Sequence, residues 1–592
     1  MFVTNGLEEI ENGLYELENK FRFSYSDGSN SEKYLNAVFG LVEDLSSSSI
    51  ELESYIIDWP SEYHLSASRS HLLKGFDFER DSCVLEVGCG CGAITRYLGE
   101  NFTSVHSVEG SKTRASLARA RTRDLKNVHI VSAPFDVLNF KQKYDYIFCI
   151  GVLEYARSFV EGDDPYKIMI AKMKDLLKDS GTLVIAIENQ FGLKYFNGDL
   201  EDHTATKYDG LEGYHNFPNK ARTFGYNELR ENLGKYFSKV DFYFPYPDYK
   251  LPNLLISENI FGKVSLSGLY ADSIRKNNTH HRKQVKNNFI DELVFDELDR
   301  NNLVRYFANS FLIFCDNEKS IYKFTEDKNR SKWGATLYSY DEPDKLKVLS
   351  LLTDNSRDFF SSKFYINQKD NSKIEIARDS WLQGKLFEQA LNESLLCRVE
   401  PYKLFFEYLA RYYEFLKERS ILVEDGVLSG ADVDLLLRNL ILNGDTLEVI
   451  DREHDFGSNI KIDVVYMRAI YYYLLGLRGK KYLENLPKTS TKISFDKSIK
   501  KIMLDISKEL NVPINSRLIE EFCAIESQFL YNIHGGDLSH YERLVKKHLK
   551  LNLVELKYHT SIKIFLKRLF AFFYRKAKYK KVVGSKKRIL EF

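Results

Sequence analysis

The chain contains Val84-Leu85-Glu86-Val87, which runs directly into Gly88-Cys89-Gly90-Cys91-Gly92-Ala93 and then into Ile94-Thr95-Arg96-Tyr97-Leu98. An apolar, β-branched run that closes on alternating glycines and opens into helical patterning is a strand, a tight turn and a helix N-terminus. Glycines are required at such a turn because its backbone angles are unusual and because a ligand must approach bare backbone. The feature commits this part of the chain to an α/β architecture with ligand binding at the carboxyl end of a strand.

The spacing of Gly88, Gly90 and Ala93 also satisfies the dinucleotide-binding pattern. Glu86 favours another ligand. A carboxylate two residues before the first glycine suits the cationic methionine moiety of S-adenosylmethionine and repels a pyrophosphate. The stretch resembles the cofactor motif of class I methyltransferases. Two further segments follow in the order of that family. Ser104–Glu109 reads as a second strand ending in a carboxylate, Glu109, placed for ribose hydroxyls, and Lys143–Ile150 reads as a strand leading into Gly151-Val152-Leu153-Glu154-Tyr155. The resemblance implies that Glu86, Gly88, Gly90, Gly92, Glu109 and Leu153 hold the cofactor. The acid that often meets the adenine is replaced at Ala133-Pro134, with Asp136 slightly late.

A chain of 592 residues, 44% apolar and 28% charged, exceeds one core and implies two or three domains. Its 84 basic and 84 acidic side chains cancel, which argues against nucleic acid as a partner. The seven cysteines show no metal-binding spacing and fit a reducing compartment. Neither a signal peptide nor an apolar run of ~18 residues is present, so a cytoplasmic protein is expected, either free or peripheral on a membrane.

Residues 1–57 read as an N-terminal appendage. Asp58 to Arg69 then lead into the first strand, with Tyr63, His64 and Arg69 either covering the cofactor or simply capping a short helix. From Val84 to Phe244 strands and helices alternate, which predicts a doubly wound, Rossmann-like sheet. The strand Gly181–Ile187 runs into a long polar and aromatic segment, Glu188 to Phe224, where an acceptor pocket would be built. His203 is the sharpest candidate base, with Glu154 and Glu188 behind it; a solvated loop histidine is the alternative. Tyr63–Ser66, Gly90–Tyr97, Glu188–Phe196 and Pro245–Tyr249 together resemble methyltransferases of bacterial cell-surface polysaccharide assembly, over residues 58–260. That resemblance implies a glycan or lipid-linked glycan acceptor at the inner face of the bacterial inner membrane, methylated at a sugar hydroxyl or a sugar phosphate, and glycosyltransferases of the same pathway as partners.

Residues 261–300 read as a polar linker. Phe311–Phe314 and Ser320–Phe324 are expected to pair as strands, with Lys323 presented as a nucleotide lysine. Two short strands around an Asn-Gly turn carry Asp434, Asn439 and Asp451. One carboxylate orienting a hydroxyl, with an amide and a second carboxylate on magnesium, is what phosphoryl transfer needs. Residues 301–548 resemble the α+β, two-lobed fold of aminoglycoside-phosphotransferase-like kinases, which implies ATP and Mg2+. No glycine-rich loop precedes Lys323, Asn309 and Ser310 standing there instead, so a catalytically silent binding or scaffolding domain is the alternative. In the tail, 549–592, Lys557 to Leu590 hold twelve basic residues and no acids, with apolar residues recurring every three to four positions. That pattern fits either an anionic membrane surface or a packed terminal helix.

Overall fold

The computed structural model describes residues 2–17, 26, 28–217, 220–276, 288–317, 333–342, 345–353, 359–367, 373–382, 384–397, 400, 402–423, 426–450, 455–477, 497–512 and 514–551. Lys323, Asp451 and the basic tail lie outside the described residues. The chain divides into two compact units with the boundary between Trp381 and Leu382.

The first unit is built on one sheet. Its strands are β1 (Leu7–Glu11), β2 (Leu14–Leu17), β3 (Cys83–Val87), β4 (Ser104–Glu109), β5 (Val128–Ser132), β6 (Tyr144–Ile150), β7 (Leu177–Glu188), β8 (Lys239–Tyr246), β9 (Leu254–Ser257), β10 (Ser310–Asp316), β11 (Trp333–Glu342), β12 (Lys345–Thr353), β13 (Phe359–Asn367) and β14 (Lys373–Ser380). They lie in the order β1-β2-β5-β4-β3-β6-β7-β10-β8-β9-β11-β12-β13-β14. The run β2 to β7 in that order is parallel. Both faces are covered, so the strands read as continuous apolar runs: Leu85 and Val87 enter one core and Val84 the other, as do Ile147 and Cys149 against Tyr146 and Phe148. The expected doubly wound sheet is present.

Three boundaries differ from expectation. Phe311–Phe314, expected to open a second domain, belongs to β10, which pairs antiparallel with β7 on one side and β8 on the other. All seven β10 residues are buried, and an apolar run does not by itself reveal which neighbours it finds. Residues 261–300 are not a bare linker: helices Ser267–Lys276 and Asp291–Arg300 cross there, and Tyr270 stacks on Phe295 at 3.8 Å. The polar stretch at their junction, residues 277–287, lies outside the described residues. Residues 1–57 are not an appendage either, since Phe2 and Val3 are core residues, β2 pairs with β5, and helix Ser29–Leu41 buries Leu35 and Val38 against Leu65 and Leu117.

In the second unit, β17 (Leu440–Asn443) and β18 (Thr446–Val449) form the expected Asn-Gly hairpin, and β15 (Lys385–Leu386) joins β17. A small ladder pairs β16 (Val427–Leu428) with β19 (Ile460–Lys461). Helices Lys403–Ser420, Ile462–Leu477, Ile499–Leu510, Ser516–His534 and Leu538–Leu549 complete it. Among the described residues of the chain, no helix is long and apolar enough to cross a membrane.

Candidate active site

Strand β3 has β4 on one side and β6 on the other, so the glycine turn sits where the strand order reverses and a crevice opens at the carboxyl ends. A cavity of about 280 Å3 lies there. Gly88, Gly90, Glu86 and Glu109 line it, as do Tyr63 and Arg69. Gly90 has φ +56°, and a Cβ on it would come within 2.9 Å of the Arg114 guanidinium. Gly92 serves another purpose. It is absent from the lining, and a Cβ there would lie 2.7 Å from the Ala118 backbone, so it allows two helices to cross closely.

Glu109 braces the turn, its carboxylate accepting from the backbone N–H of Gly90 at 2.8 Å and of Ser111 at 2.9 Å. Glu86 is buried and accepts from Ser107 Oγ at 2.8 Å. Burial pushes its carboxyl up to about 7, with the Glu109 charge adding. Leu153 turns away into the hydrophobic core, whereas its neighbours Val152 and Glu154 face the cavity. Arg69 is held by the backbone carbonyls of Tyr249, at 2.9 Å, and Lys250, at 3.1 Å, and by Tyr63 Oη at 3.1 Å. The short helix bearing Tyr63 begins on an Asp58–Ser61 capping box, which fixes its entry.

The far end of the cavity gathers residues distant in sequence. Glu154 follows β6, Glu188 ends β7, Asp202 and His203 come from the insertion, and Lys250 follows β8. His203 Nδ1 lies 3.0 Å from Tyr155 Oη, and its Nε2 lies 3.4 Å from Glu188 Oε2. Glu201 accepts from the backbone N–H groups of His203 at 2.8 Å and Thr204 at 2.6 Å, which seats the loop. Lys250 donates to the other Glu188 oxygen and, at 2.9 Å, to Asp202. Lys194 also pairs with Asp202, at 2.6 Å. Both carboxylate oxygens of Glu154, Glu188 Oε2 and His203 Nε2 are buried without a hydrogen-bond partner among the described residues. Burial opposes charge on His203, but Glu188 beside it overrides that and raises the imidazole to about 9. Burial, then the charge of Glu188, pushes Glu154 up to about 8. The cluster therefore stores protons at neutral pH.

Asn309, which stands where a kinase-like fold would have its glycine-rich loop, works here instead. Its side chain donates to the Pro247 carbonyl at 2.8 Å and accepts from the Lys194 N–H at 2.9 Å, tying together the strand ends under the cluster. Asp202, Lys194 and Lys250 were not foreseen as functional residues. The signal was there in Glu201-Asp202-His203 and in Pro247-Asp248-Tyr249-Lys250, two charged clusters in turns at strand ends.

Residues 85–183 match a family model described as "Methyltransferase domain". They form a methyltransferase domain. Such domains take their methyl group from S-adenosylmethionine, and the cavity fits it: a glycine turn open to backbone approach, a buried carboxylate and a second at the next strand end. The chain is 28% identical over 115 residues to the ubiquinone biosynthesis O-methyltransferase of Hydrogenovibrio crunogenus, covering 19% of this chain and 45% of that protein. It is 26% identical over 106 residues to the (S)-coclaurine N-methyltransferase of Thalictrum flavum, covering 17% and 27%. The chain thus spans less than half the length of these relatives. Among solved structures, the N-methyltransferase NodS of Bradyrhizobium japonicum with S-adenosyl-L-homocysteine is 18% identical, covering 27% of this chain and 75% of that one, with a TM-score of 0.20.

In the second unit, Asn439 Nδ2 donates to the Asp434 backbone carbonyl at 2.9 Å, which holds the loop between them. The Asp434 carboxylate faces the buried guanidinium of Arg468 at 3.3 Å, and Arg468 also pairs with Glu526 at 2.8 Å.

Proposed function

We propose that the first unit transfers a methyl group from S-adenosylmethionine to a hydroxyl of a surface glycan. The observation that carries this is the Glu188–His203–Tyr155 chain, at 3.4 Å and 3.0 Å, in the same cavity as the glycine turn. When bound, the cofactor supplies an electrophilic methyl group. Glu86 would attract its cationic end, Gly88 and Gly90 would admit it, and Glu109 would be the acid to meet its ribose hydroxyls. A hydroxyl must lose its proton as it is methylated, and His203 is placed to receive it once deprotonated, with Tyr155 and Glu188 setting the ring orientation. The relatives methylate oxygen in one case and nitrogen in another, so the choice of oxygen rests on the proton-accepting cluster. The glycan rests on the resemblance of residues 58–260 to polysaccharide-assembly methyltransferases.

The second unit is proposed as an ATP- and Mg2+-dependent kinase acting on the same acceptor, so that the chain caps a growing polysaccharide. The Asp434–Asn439 loop supports this. The Arg468 guanidinium on Asp434 supports the other reading, a silent binding or scaffolding domain. The test is transfer of a labelled methyl group from S-adenosylmethionine, and of labelled phosphate from ATP, to a cell-envelope glycan fraction by the full chain. Gly90→Val should abolish cofactor binding and methyl transfer, and Asp451→Asn should abolish phosphoryl transfer alone. Methyl transfer retained in Gly90→Val would sink the first assignment; no ATP binding by the intact chain would leave the scaffold.

A further inference from the structure

Glu154, Glu188 and His203 converge more closely than proton transfer alone requires. One ligand atom from each lies within 4.8 Å of the other two. Donors ~2.1 Å from a metal ion stand roughly 3 to 3.4 Å apart when adjacent and ~4.2 Å when opposite. The 3.4 Å between His203 Nε2 and Glu188 Oε2 is such an edge.

Each donor is already prepared. His203 Nδ1 is engaged by Tyr155 Oη at 3.0 Å, which leaves Nε2 as the nitrogen aimed at Glu188; an imidazole oriented through its second nitrogen is how proteins present a metal ligand. Lys250 occupies one Glu188 oxygen, and the nearest partner of the other, Oε2, among the described residues is His203 Nε2 at 3.4 Å. Glu154 is 0% exposed, and neither of its oxygens has a hydrogen-bond partner. A buried carboxyl without partners costs several kcal/mol unless something answers it. The charges facing the point are the three carboxylates of Glu154, Glu188 and Asp202 against the ammonium groups of Lys250 and Lys194.

We infer that Glu154, Glu188 and His203 form a binding site for one divalent first-row metal ion, of the manganese or zinc class. Two carboxylates and an imidazole select that class over magnesium or calcium, which prefer oxygen alone. Three protein ligands leave open positions toward the cavity, where oxygens of a sugar acceptor can complete the coordination. An ion held there occupies His203 Nε2, so the ion-bound and proton-accepting states of His203 are alternatives, and the binding of the ion does not depend on the proposed methyl transfer.

The experiment is titration of the full-length, chelator-stripped protein with Mn2+, read by electron paramagnetic resonance and calorimetry without nucleotide. One ion per chain is expected, with affinity reduced at least tenfold in both Glu154→Gln and His203→Asn. S-adenosylhomocysteine affinity, measured on the same samples, should survive in both site variants and reports separately on the cofactor end. No Mn2+ bound at 1 mM, or unchanged binding in Glu154→Gln and His203→Asn, overturns the site. Absence of S-adenosylhomocysteine binding by the unaltered chain would instead overturn the methyl-transfer reading.

Discussion

Each unit buries a carboxylate against a cation, and the two pairs differ in whether the cation can discharge. Glu188 faces the His203 imidazole at 3.4 Å, while Asp434 faces the Arg468 guanidinium at 3.3 Å. A guanidinium keeps its proton throughout the working range, whereas an imidazole exchanges one near neutrality. Around Glu188 several polar atoms have no partner and open onto a cavity. Around Arg468, Glu526 and the Val433 carbonyl, the latter at 2.7 Å, accept from the same guanidinium. Similar residue types therefore make a reactive cluster in one place and a structural tie in the other.

The largest expected effect comes from removing the dischargeable partner. His203→Ala should lower methyl transfer by ~10² to 10⁴-fold, with S-adenosylhomocysteine affinity unchanged by calorimetry. A loss below threefold would erase the contrast between the two pairs.

Arg468→Met should cost about 3–5 kcal/mol of unfolding free energy, because Asp434 and Glu526 would both lose their buried cation. Denaturant unfolding followed by circular dichroism reads this directly. Unaltered stability would mean that Arg468 is not a tie.

The smallest effect concerns a third buried carboxylate, Glu86, which has no ion pair among the described residues. Burial raises it to about 7, so the folded chain holds that proton more tightly than the unfolded chain does. Its contribution to stability is complete below the ordinary carboxyl range, near 4.5, and is lost as pH rises through about 7. Affinity for the cationic cofactor should move the opposite way, tightening about tenfold between pH 6 and 8 as Glu86 ionises, one decade being about 1.4 kcal/mol. Calorimetric titration with S-adenosylmethionine at several pH values checks it, and Glu86→Gln should flatten the profile.

Much of the cofactor end was legible because it is local: glycines, a strand and a carboxylate within ten residues, their order repeated at Glu109 and Gly151. The β17–β18 hairpin was legible for the same reason, Asn443-Gly444 having few other conformations available. His203, Glu154 and Glu188 could be named as candidates, but their convergence could not, since it depends on where three strands end. Strand β10 shows the general difficulty. Alternation and branching mark Phe311–Phe314 as a strand, while its neighbours β7 and β8 lie some seventy to a hundred and thirty residues earlier, a separation no local pattern encodes. Gly92 and Leu153 illustrate the reverse: a motif position can be kept for packing as readily as for ligand contact.

The late arrival of β10 sets a schedule for biosynthesis. A nascent chain released only to residue 260 holds β7 and β8 with the slot between them empty, two long apolar edges exposed to solvent or to a neighbouring ribosome's product. The sheet can close only after residue 316 has cleared the exit tunnel, so the folding of the methyltransferase domain waits on sequence well beyond its own motifs. Fragments cut at 260 should accumulate as aggregates, while any gene fusion or split that respects this sheet must keep residues 310–316 with it.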